Sequence, residues 1–161
     1  EHWFAKDDAL DAKIRERFGA LHEAVATEQV EMPLTPRGVL AAIIVLDQFS
    51  RNLHRGSSRA FAQDAKALEL ARRAIEMGLD RELTPMERKF IYMPFMHAED
   101  RTAQAECVRL FTELEDQDSL KYAIEHRDII DRFGRFPHRN RTLGRRSLPE
   151  EEEFLKQHPG F

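Results

Sequence analysis

Residues 35–54 read TPRGVLAAIIVLDQFSRNLH, and this segment decides the fold. Its residues 39–46 are all apolar, and a helix that is apolar on every side is typically buried at the centre of a domain. Thr35 is a typical N-cap, Pro36 suits the first turn of a helix, and Gly56 is a typical helix stop. The segment therefore predicts a buried central helix from Thr35 to about His54.

Helical periodicity continues on both sides of this helix. Upstream, apolar residues step by four or three and form one amphipathic stripe, which consists of Leu10, Ile14, Phe18, Leu21 and Val25. That first helix has a capping residue in Asp7 or Asp8. Downstream, further helix starts are predicted at Ser57 or Ser58, Thr84, Glu99 or Asp100, Ser119, and Ser147 with Glu150 as a capping box.

These signals predict an all-α protein. Pro94 is expected to kink or end its helix, residues 135–146 are expected to form a loop, and no segment shows the alternation of a strand. We predict a single domain over residues 1–161, with about seven helices in stacked antiparallel hairpins.

The composition excludes several classes of protein. The net charge of −4 gives no overall attraction to nucleic acid or to anionic lipid. The single cysteine, Cys107, has no partner for a disulfide, and its apolar neighbours indicate a core position rather than a nucleophile. No apolar run approaches the ~20 residues of a membrane span, and no signal peptide is visible. We therefore expect a cytoplasmic protein without a membrane partner, and the oligomeric state is unknown.

Polar residues follow the apolar part of the central helix abruptly: Asp47, Gln48, Arg51, Asn52 and Arg55. Asp47, Arg51 and Arg55 recur every four residues, so a helix places them on one face. Two interpretations stay open. The commoner one is a surface ion pair at the helix end, and the other is a polar pocket next to the core helix.

The apolar segment 90–96 ends in the same way, in His97, Glu99 and Asp100, and Gln104 lies one turn beyond Asp100. The two acids suit the N-terminal end of the next helix. That explanation does not account for His97.

His126 is the clearest exception to the helical pattern. Its helix face is otherwise formed by Tyr122, Ile129 and Phe133. A histidine at such a position is usually a core residue with a hydrogen-bond partner. The carboxylates available to it are Asp47, Glu99 and Asp100, and next to one of them it would titrate near neutral pH.

Residues 132–146 contain six arginines, one histidine and no acid. Phe136 and Pro137 resemble apolar anchors for this segment. Because the planar guanidinium suits phosphate and carboxylate, candidate ligand-binding residues here are Arg135, His138, Arg139 and Asn140. The alternative is that the arginines pair with acids elsewhere in the chain, including residues 150–153.

Motifs for cofactors and metals are missing from the sequence. There is no glycine-rich phosphate loop, no His-Glu-x-x-His and no Glu-x-x-His pair of a helical di-iron site. A metal held by His97, His126 and His138 across helices has no support in the sequence. We predict no cofactor and no metal.

Three strings resemble the bacterial domain-of-unknown-function family 924: LDQFSRN at residues 46–52, YMPFMHAED at 92–100 and HRDIIDRFGRFPHRN at 126–140. The resemblance covers nearly the whole chain. It implies a tetratricopeptide-like, right-handed array of helical hairpins, and an N-terminal segment of the natural protein before Glu1. It implies no activity. Family members tend to have Pro at position 50 and Ser at position 98, so Ala98 counts against serine chemistry there.

Three functional hypotheses follow. In the first, the protein is a tetratricopeptide-like binding module whose groove holds an anionic small molecule or peptide. The anion is bound by Arg51, Arg55, Arg135 and Arg139. These arginines are oriented by Asp47, His97 and Glu99, which also hydrogen-bond the ligand. In the second, a hydrolase or transferase uses His126 or His97 as general base, with Asp47 or Glu99 as its carboxylate partner. The third, RNA binding through residues 132–146, is disfavoured by the net charge.

Overall fold

The computed structural model describes residues 7–158 and residue 160. Over these residues the chain is helical or irregular and contains no strand, which confirms the all-α prediction. The chain divides between Leu83 and Thr84 into two compact units. Each described helix is too short or too polar to span a membrane. The single domain and the tetratricopeptide-like array stay predictions.

The first unit is built around the predicted central helix. Its elements are α1 (Asp8–Ala26), α2 (Pro36–Ile43), a π-helix (Ile44–Phe49), α3 (Ser50–Leu53), a 3-10 helix (Ser58–Phe61), α4 (Asp64–Glu76) and a 3-10 helix (Leu79–Glu82). From α2 to α3 the helical segment is unbroken, as predicted. Val45, Leu46 and Phe49 pack with Ile14 and Val25 of α1 to form the core of this unit.

The π-helix inside the central segment was not predicted. A π-turn contains one more residue than an α-turn, so it rotates the residues that follow it. Asp47, Gln48 and Ser50 are all buried here, and Asp47 is only 1% exposed. The predicted pair of Asp47 with Arg51 forms, at 3.1 Å, but its location at the surface is wrong because the carboxylate is buried.

The second unit contains the remaining elements: α5 (Pro85–His97), α6 (Arg101–Glu113), α7 (Gln117–Phe133), a 3-10 helix (Pro137–Arg139) and α8 (Pro149–Gln157). Helices α5, α6 and α7 pack against one another. Ile91, Tyr92, Cys107 and Phe111 are fully or almost fully buried, and the rings of Tyr92 and Phe111 meet edge to face at 5.8 Å. Burial of Cys107 also raises the pKa of its thiol, which fits the predicted core role.

Several predicted helix starts are confirmed. Asp7, Thr35, Thr84 and Asp100 occupy N-cap positions, where each side chain accepts a backbone hydrogen bond from the first turn. At Thr84 the cap is a full capping box with Glu87.

Other predicted starts are wrong by a few residues. Ser57 caps only the short 3-10 helix, and α4 begins at Asp64. Asp116 caps α7 and accepts from the backbone N–H of Ser119. The capping box of Ser147 with Glu150 does not form, because Glu151 accepts from the N–H of Leu148 at 2.7 Å instead.

Helix α5 does not end at Pro94 but continues to His97. A proline near a helix end removes few hydrogen bonds, and the last carbonyl groups need other donors in any case. Gln104 of α6 supplies them from its Nε2, which donates to the carbonyl oxygens of Phe95, Met96 and Ala98 at 3.2, 2.8 and 2.8 Å.

Gly38, in the first turn of α2, has no room for a side chain. A Cβ atom there would lie 2.1 Å from the carbonyl oxygen of Pro33 and 2.9 Å from Oγ1 of Thr35. Because the backbone itself must move to relieve this contact, we expect Gly38→Ala to lower the free energy of unfolding by about 1–3 kcal/mol. Urea unfolding followed by circular dichroism measures the change.

Gly19 provides the matched control, because it lies within α1 and nothing stands within 4 Å of a Cβ placed there. Alanine is more favourable than glycine in the interior of a helix, so Gly19→Ala should raise the free energy of unfolding by about 0.5–1 kcal/mol. Changes of the same sign in both variants would contradict the steric cause assigned at Gly38.

Candidate functional site

The polar residues of the first unit form an ion-pair network centred on Arg51. Nη1 of Arg51 lies 3.1 Å from Oδ1 of Asp47, and the two terminal nitrogens bond both carboxylate oxygens of Asp64 at 3.0 and 3.1 Å. Burial acts to lower the pKa of Arg51, but Asp47 and Asp64 raise it above its ordinary value. The arginine is therefore firmly charged and is held by two acids. Gln48 donates to Asp47 at 2.5 Å and extends this network.

Arg55 does not share the network of Asp47 and Arg51. Its Nε and Nη2 donate to the carboxylate of Asp11 in α1 at 2.8 and 3.0 Å, and Asn52 donates to the same carboxylate at 2.8 Å. These contacts pin the end of α3 to α1.

Sequence reasoning missed two polar residues of α1, Asp11 and His22, which are 7% and 3% exposed. Nε2 of His22 lies 2.7 Å from the Ser50 hydroxyl, which in turn donates to the carbonyl of Leu46. Both residues occupy the same helical register as Ile14 and Val25, and that register was the signal that could have identified them.

In the second unit, Glu99 fixes the start of the arginine-rich segment. Its two carboxylate oxygens accept from Arg145 at 2.6 and 2.8 Å, and Oε1 also accepts from the backbone N–H of Phe136 at 2.7 Å. Asp100 caps α6 through a 2.7 Å bond from the N–H of Ala103. Glu99 and Asp100 therefore have clear structural roles.

Glu151 fixes the other side of this segment. It is 1% exposed, and its carboxylate accepts from Arg135 at 2.7 and 2.8 Å and from Asn140 at 3.1 Å. Asn140 also donates to the Ser147 hydroxyl at 3.1 Å and accepts from Arg145 at 3.0 Å. Pairing of the loop arginines with acids elsewhere, one of the two open alternatives, is thus confirmed for Arg135 and Arg145.

Three further candidates of this unit lie around the fully buried ring of Phe136. The guanidinium carbon of Arg139 lies 4.5 Å from the ring centroid, and the imidazoles of His126 and His138 lie 5.5 and 5.7 Å from it. His97 acts electrostatically on His126. We call His97, His126, His138 and Arg139 the histidine–arginine cluster.

Within this cluster His126 is neutral. Its Nδ1 bonds the carbonyl oxygen of Tyr122 at 2.8 Å. Burial, then His97, Arg139 and His138, lower the pKa of His126 to about 3. The prediction that His126 titrates near neutral pH beside a carboxylate is therefore wrong, because burial, the largest effect on its pKa, favours the neutral ring.

No three or more histidine, cysteine, aspartate or glutamate side chains are arranged to hold a metal ion within the described part of the chain. The histidine–arginine cluster consists of one guanidinium and three imidazoles, of which that of His126 is neutral.

Glu99 and Glu151 lead us to expect a loss of stability in acid. Burial acts to raise the pKa of Glu99, but the bonds from Arg145 and the Phe136 N–H outweigh it, so this pKa lies below its ordinary value. The pKa of Glu151 is also lowered, chiefly by Arg135. Each carboxylate therefore stabilises the fold above its ordinary pKa of 4.5, and this contribution is lost as the pH falls from there through the folded-state value.

Urea unfolding between about pH 6 and pH 2 measures this dependence. Glu99→Gln, which cannot ionise, should flatten the curve below about pH 4.5 compared with the wild type. An equally steep decline in both proteins would show that Glu99 does not contribute.

Comparisons with known proteins agree with this fold. The model of a family described as "Bacterial protein of unknown function (DUF924)" matches residues 1–159. A solved structure of a protein of unknown function from Agrobacterium tumefaciens is 40% identical in sequence, and the TM-score of the superposition is 0.93. The match covers 98% of this chain and 89% of that one. The comparison with curated proteins found no match.

Proposed function

The chain belongs to the bacterial family of unknown function DUF924, and from the geometry of its second unit we propose that it is a binding module for an anionic ligand. The ligand is bound at the histidine–arginine cluster. The proposed scaffold is the tetratricopeptide-like array implied by the resemblance, and the proposed location is the cytoplasm.

The convergence on Phe136 is the observation that carries this proposal. Arg139 is 6% exposed, and it lies against the same buried ring as His126 and His138. Charge held at such depth is weakly screened by solvent, so it attracts an anion more strongly than a surface arginine does. His97 and His138 are half-buried, so solvent reaches part of each imidazole.

The anion-gripping role predicted for the other arginines receives less support. Arg51, Arg55 and Arg135 each direct two nitrogens at one carboxylate, on Asp64, Asp11 and Glu151 respectively. A ligand would have to displace these acids. The proposal therefore concentrates on the cluster around Phe136, in which one arginine lies with several imidazoles.

One observation argues against each of the two other hypotheses. An imidazole with a pKa of about 3 is a poor general base at neutral pH, which argues against His126 in that role. In the arginine-rich segment only Arg132, Arg141 and Arg146 are exposed, which leaves a small basic surface for RNA.

A thermal-shift series with phosphate, sulfate and citrate tests the proposal. We expect the wild-type melting temperature to rise with anion concentration, and Arg139→Gln to weaken the apparent affinity about tenfold or more because the central cation is lost. Arg141→Gln is the matched control, since Arg141 is an exposed arginine of the same segment, and its response should equal that of the wild type.

Arg139 is buried, so its replacement can also affect folding. His138→Gln, at a half-buried position, is the second variant, with the exposed His158→Gln as its control. If wild type, Arg139→Gln and His138→Gln respond equally to every anion, the cluster is not the binding site.

A further inference from the structure

His22 and His54 form a contact between α1 and the end of α3 that the proposed function does not use. The two imidazole rings meet edge to face, with their centroids 5.4 Å apart. We propose that this pair is an acid-sensitive joint, which holds the C-terminal part of α1 in place at neutral pH and loosens it in mild acid. The inference concerns the first unit alone and does not depend on anion binding in the second unit.

The first step concerns the hydrogen on the buried His22 ring, which is 3% exposed. Nε2 of His22 lies 2.7 Å from the Ser50 hydroxyl, and that hydroxyl donates its only hydrogen to the carbonyl oxygen of Leu46. Nε2 is therefore the donor to Ser50, and Nδ1 holds the lone pair of the neutral ring. A further proton is added at Nδ1. The bond to Ser50 persists in both states, so this bond is not what changes in acid.

The second step concerns the charges around the two rings. Arg59, in the 3-10 helix after α3, opposes protonation of both rings, and Arg15 of α1 opposes protonation of His54. A charge on His54 also opposes protonation of His22. Glu23 is the acid that acts on the pair and favours its protonation. It is exposed, however, and it pairs with Arg59 at 3.3 Å, which offsets its charge.

Two further acids of this unit, one in α1 and one in the π-helix, are bonded by arginines. Asp47 of the π-helix lies 3.1 Å from Arg51, and Asp11 of α1 accepts from Arg55 at 2.8 Å. The bond from Arg55 lowers the pKa of Asp11, so this carboxylate stays ionised in mild acid and keeps its own end of α1 attached to α3. We therefore expect acid to loosen the part of α1 around His22.

The third step is the effect of pH. Burial, followed by the positive charges named above, lowers the pKa of both His22 and His54 from the ordinary value of 6.5. A ring that is released into water regains that ordinary value, so opening of the joint takes up protons once the pH falls below 6.5. Each proton taken up raises the equilibrium constant for opening about tenfold per pH unit, until the pH reaches the folded-state pKa. The joint is therefore closed at neutral pH and becomes progressively weaker in acid.

Hydrogen exchange of the full chain, corrected for the pH dependence of intrinsic exchange, tests this inference. Between about pH 7 and pH 5 we expect the protection of amides 19–26 in α1 to fall about tenfold or more, while the amides of α2 (Pro36–Ile43) keep theirs. His22→Gln keeps an N–H donor for Ser50 and cannot titrate, so it should remove most of this fall. His158→Gln, at an exposed histidine, is the matched control and should behave like wild type.

Should His22→Gln fail to fold, two other measurements decide the question. His54→Gln, at a half-buried position, should also reduce the fall in protection. In wild type, the imidazole proton resonances of both rings should titrate with midpoints below 6.5. Equal falls in wild type and the variants, equal falls in α1 and α2, or a midpoint of His22 at or above 6.5 would overturn the inference. Each of these outcomes leaves anion binding at the histidine–arginine cluster unaffected.

Discussion

Replacement of Glu151 by alanine is expected to lower the free energy of unfolding by about 2–4 kcal/mol, because buried donors lose their acceptor. Glu151 is 1% exposed and accepts from Asn140 and from the N–H of Leu148 in addition to Arg135. Asn140 is itself 1% exposed, so water cannot replace the lost carboxylate oxygen at its amide. Urea unfolding followed by circular dichroism measures the difference from wild type.

Glu152→Ala is the matched control for this prediction. Glu152 is an exposed acid in the same first turn of α8. Its replacement removes only a favourable interaction with the helix N-terminus, so the free energy of unfolding should fall by about 0.3–1 kcal/mol. Glu151→Gln keeps the shape and one acceptor oxygen, so its effect should lie between the two. A loss for Glu151→Ala no larger than for Glu152→Ala would refute the structural role of this carboxylate.

Sequence patterns identified the elements of the fold well because they depend on local chemistry. Apolar runs and first-turn residues indicate the buried segment 36–53, the caps at Thr35 and Thr84, and the seven main helical segments between residues 7 and 158. The π-helix (Ile44–Phe49) has no comparable local signal. Its residues Val45 to Phe49 are buried against other elements of the unit, and this information is tertiary.

The candidate site was harder to predict because it consists of pairings between distant residues. Arg135 with Glu151 and Arg145 with Glu99 are separated by 16 and 46 residues. From the sequence, all six arginines of residues 132–146 look alike. In the structure, Arg135 and Arg145 bind acids and hold the segment in place, and Arg139 lies against the ring of Phe136.

The fixed arginines thus explain why a loop holds its candidate ligand-binding residues in defined positions. Glu99 bonds the N–H of Phe136, and Arg145 bonds the carbonyl oxygen of the same residue at 3.2 Å. The backbone of Phe136 is thereby held at both its N–H and its carbonyl group, which fixes the position of the ring. Side chains that contact the ring, such as that of Arg139, are therefore also held in place although they lie outside a long helix.

Phe136→Ala should be the most damaging single change in the second unit, with an expected loss of about 3–5 kcal/mol in the free energy of unfolding. The ring is fully buried and packs with Ile129 and Ile130, so its removal leaves a cavity in that core. It also removes the aromatic face beneath Arg139, a cation–π contact that is strengthened where water is excluded. Urea unfolding measures the loss, and hydrogen exchange of the α7 amides locates it.

Phe133→Ala is the control for this last prediction, because Phe133 packs on the same apolar cluster but is only half-buried. Its loss should be clearly smaller, since solvent already reaches part of the ring and less of a cavity forms.

The two variants should also differ in binding. Phe136→Ala should weaken phosphate binding even where the chain is still folded, because Arg139, His126 and His138 lose their shared support, whereas Phe133→Ala should leave it unchanged. Equal effects on stability and on phosphate binding would mean that Phe136 organises no site and is one core residue among others.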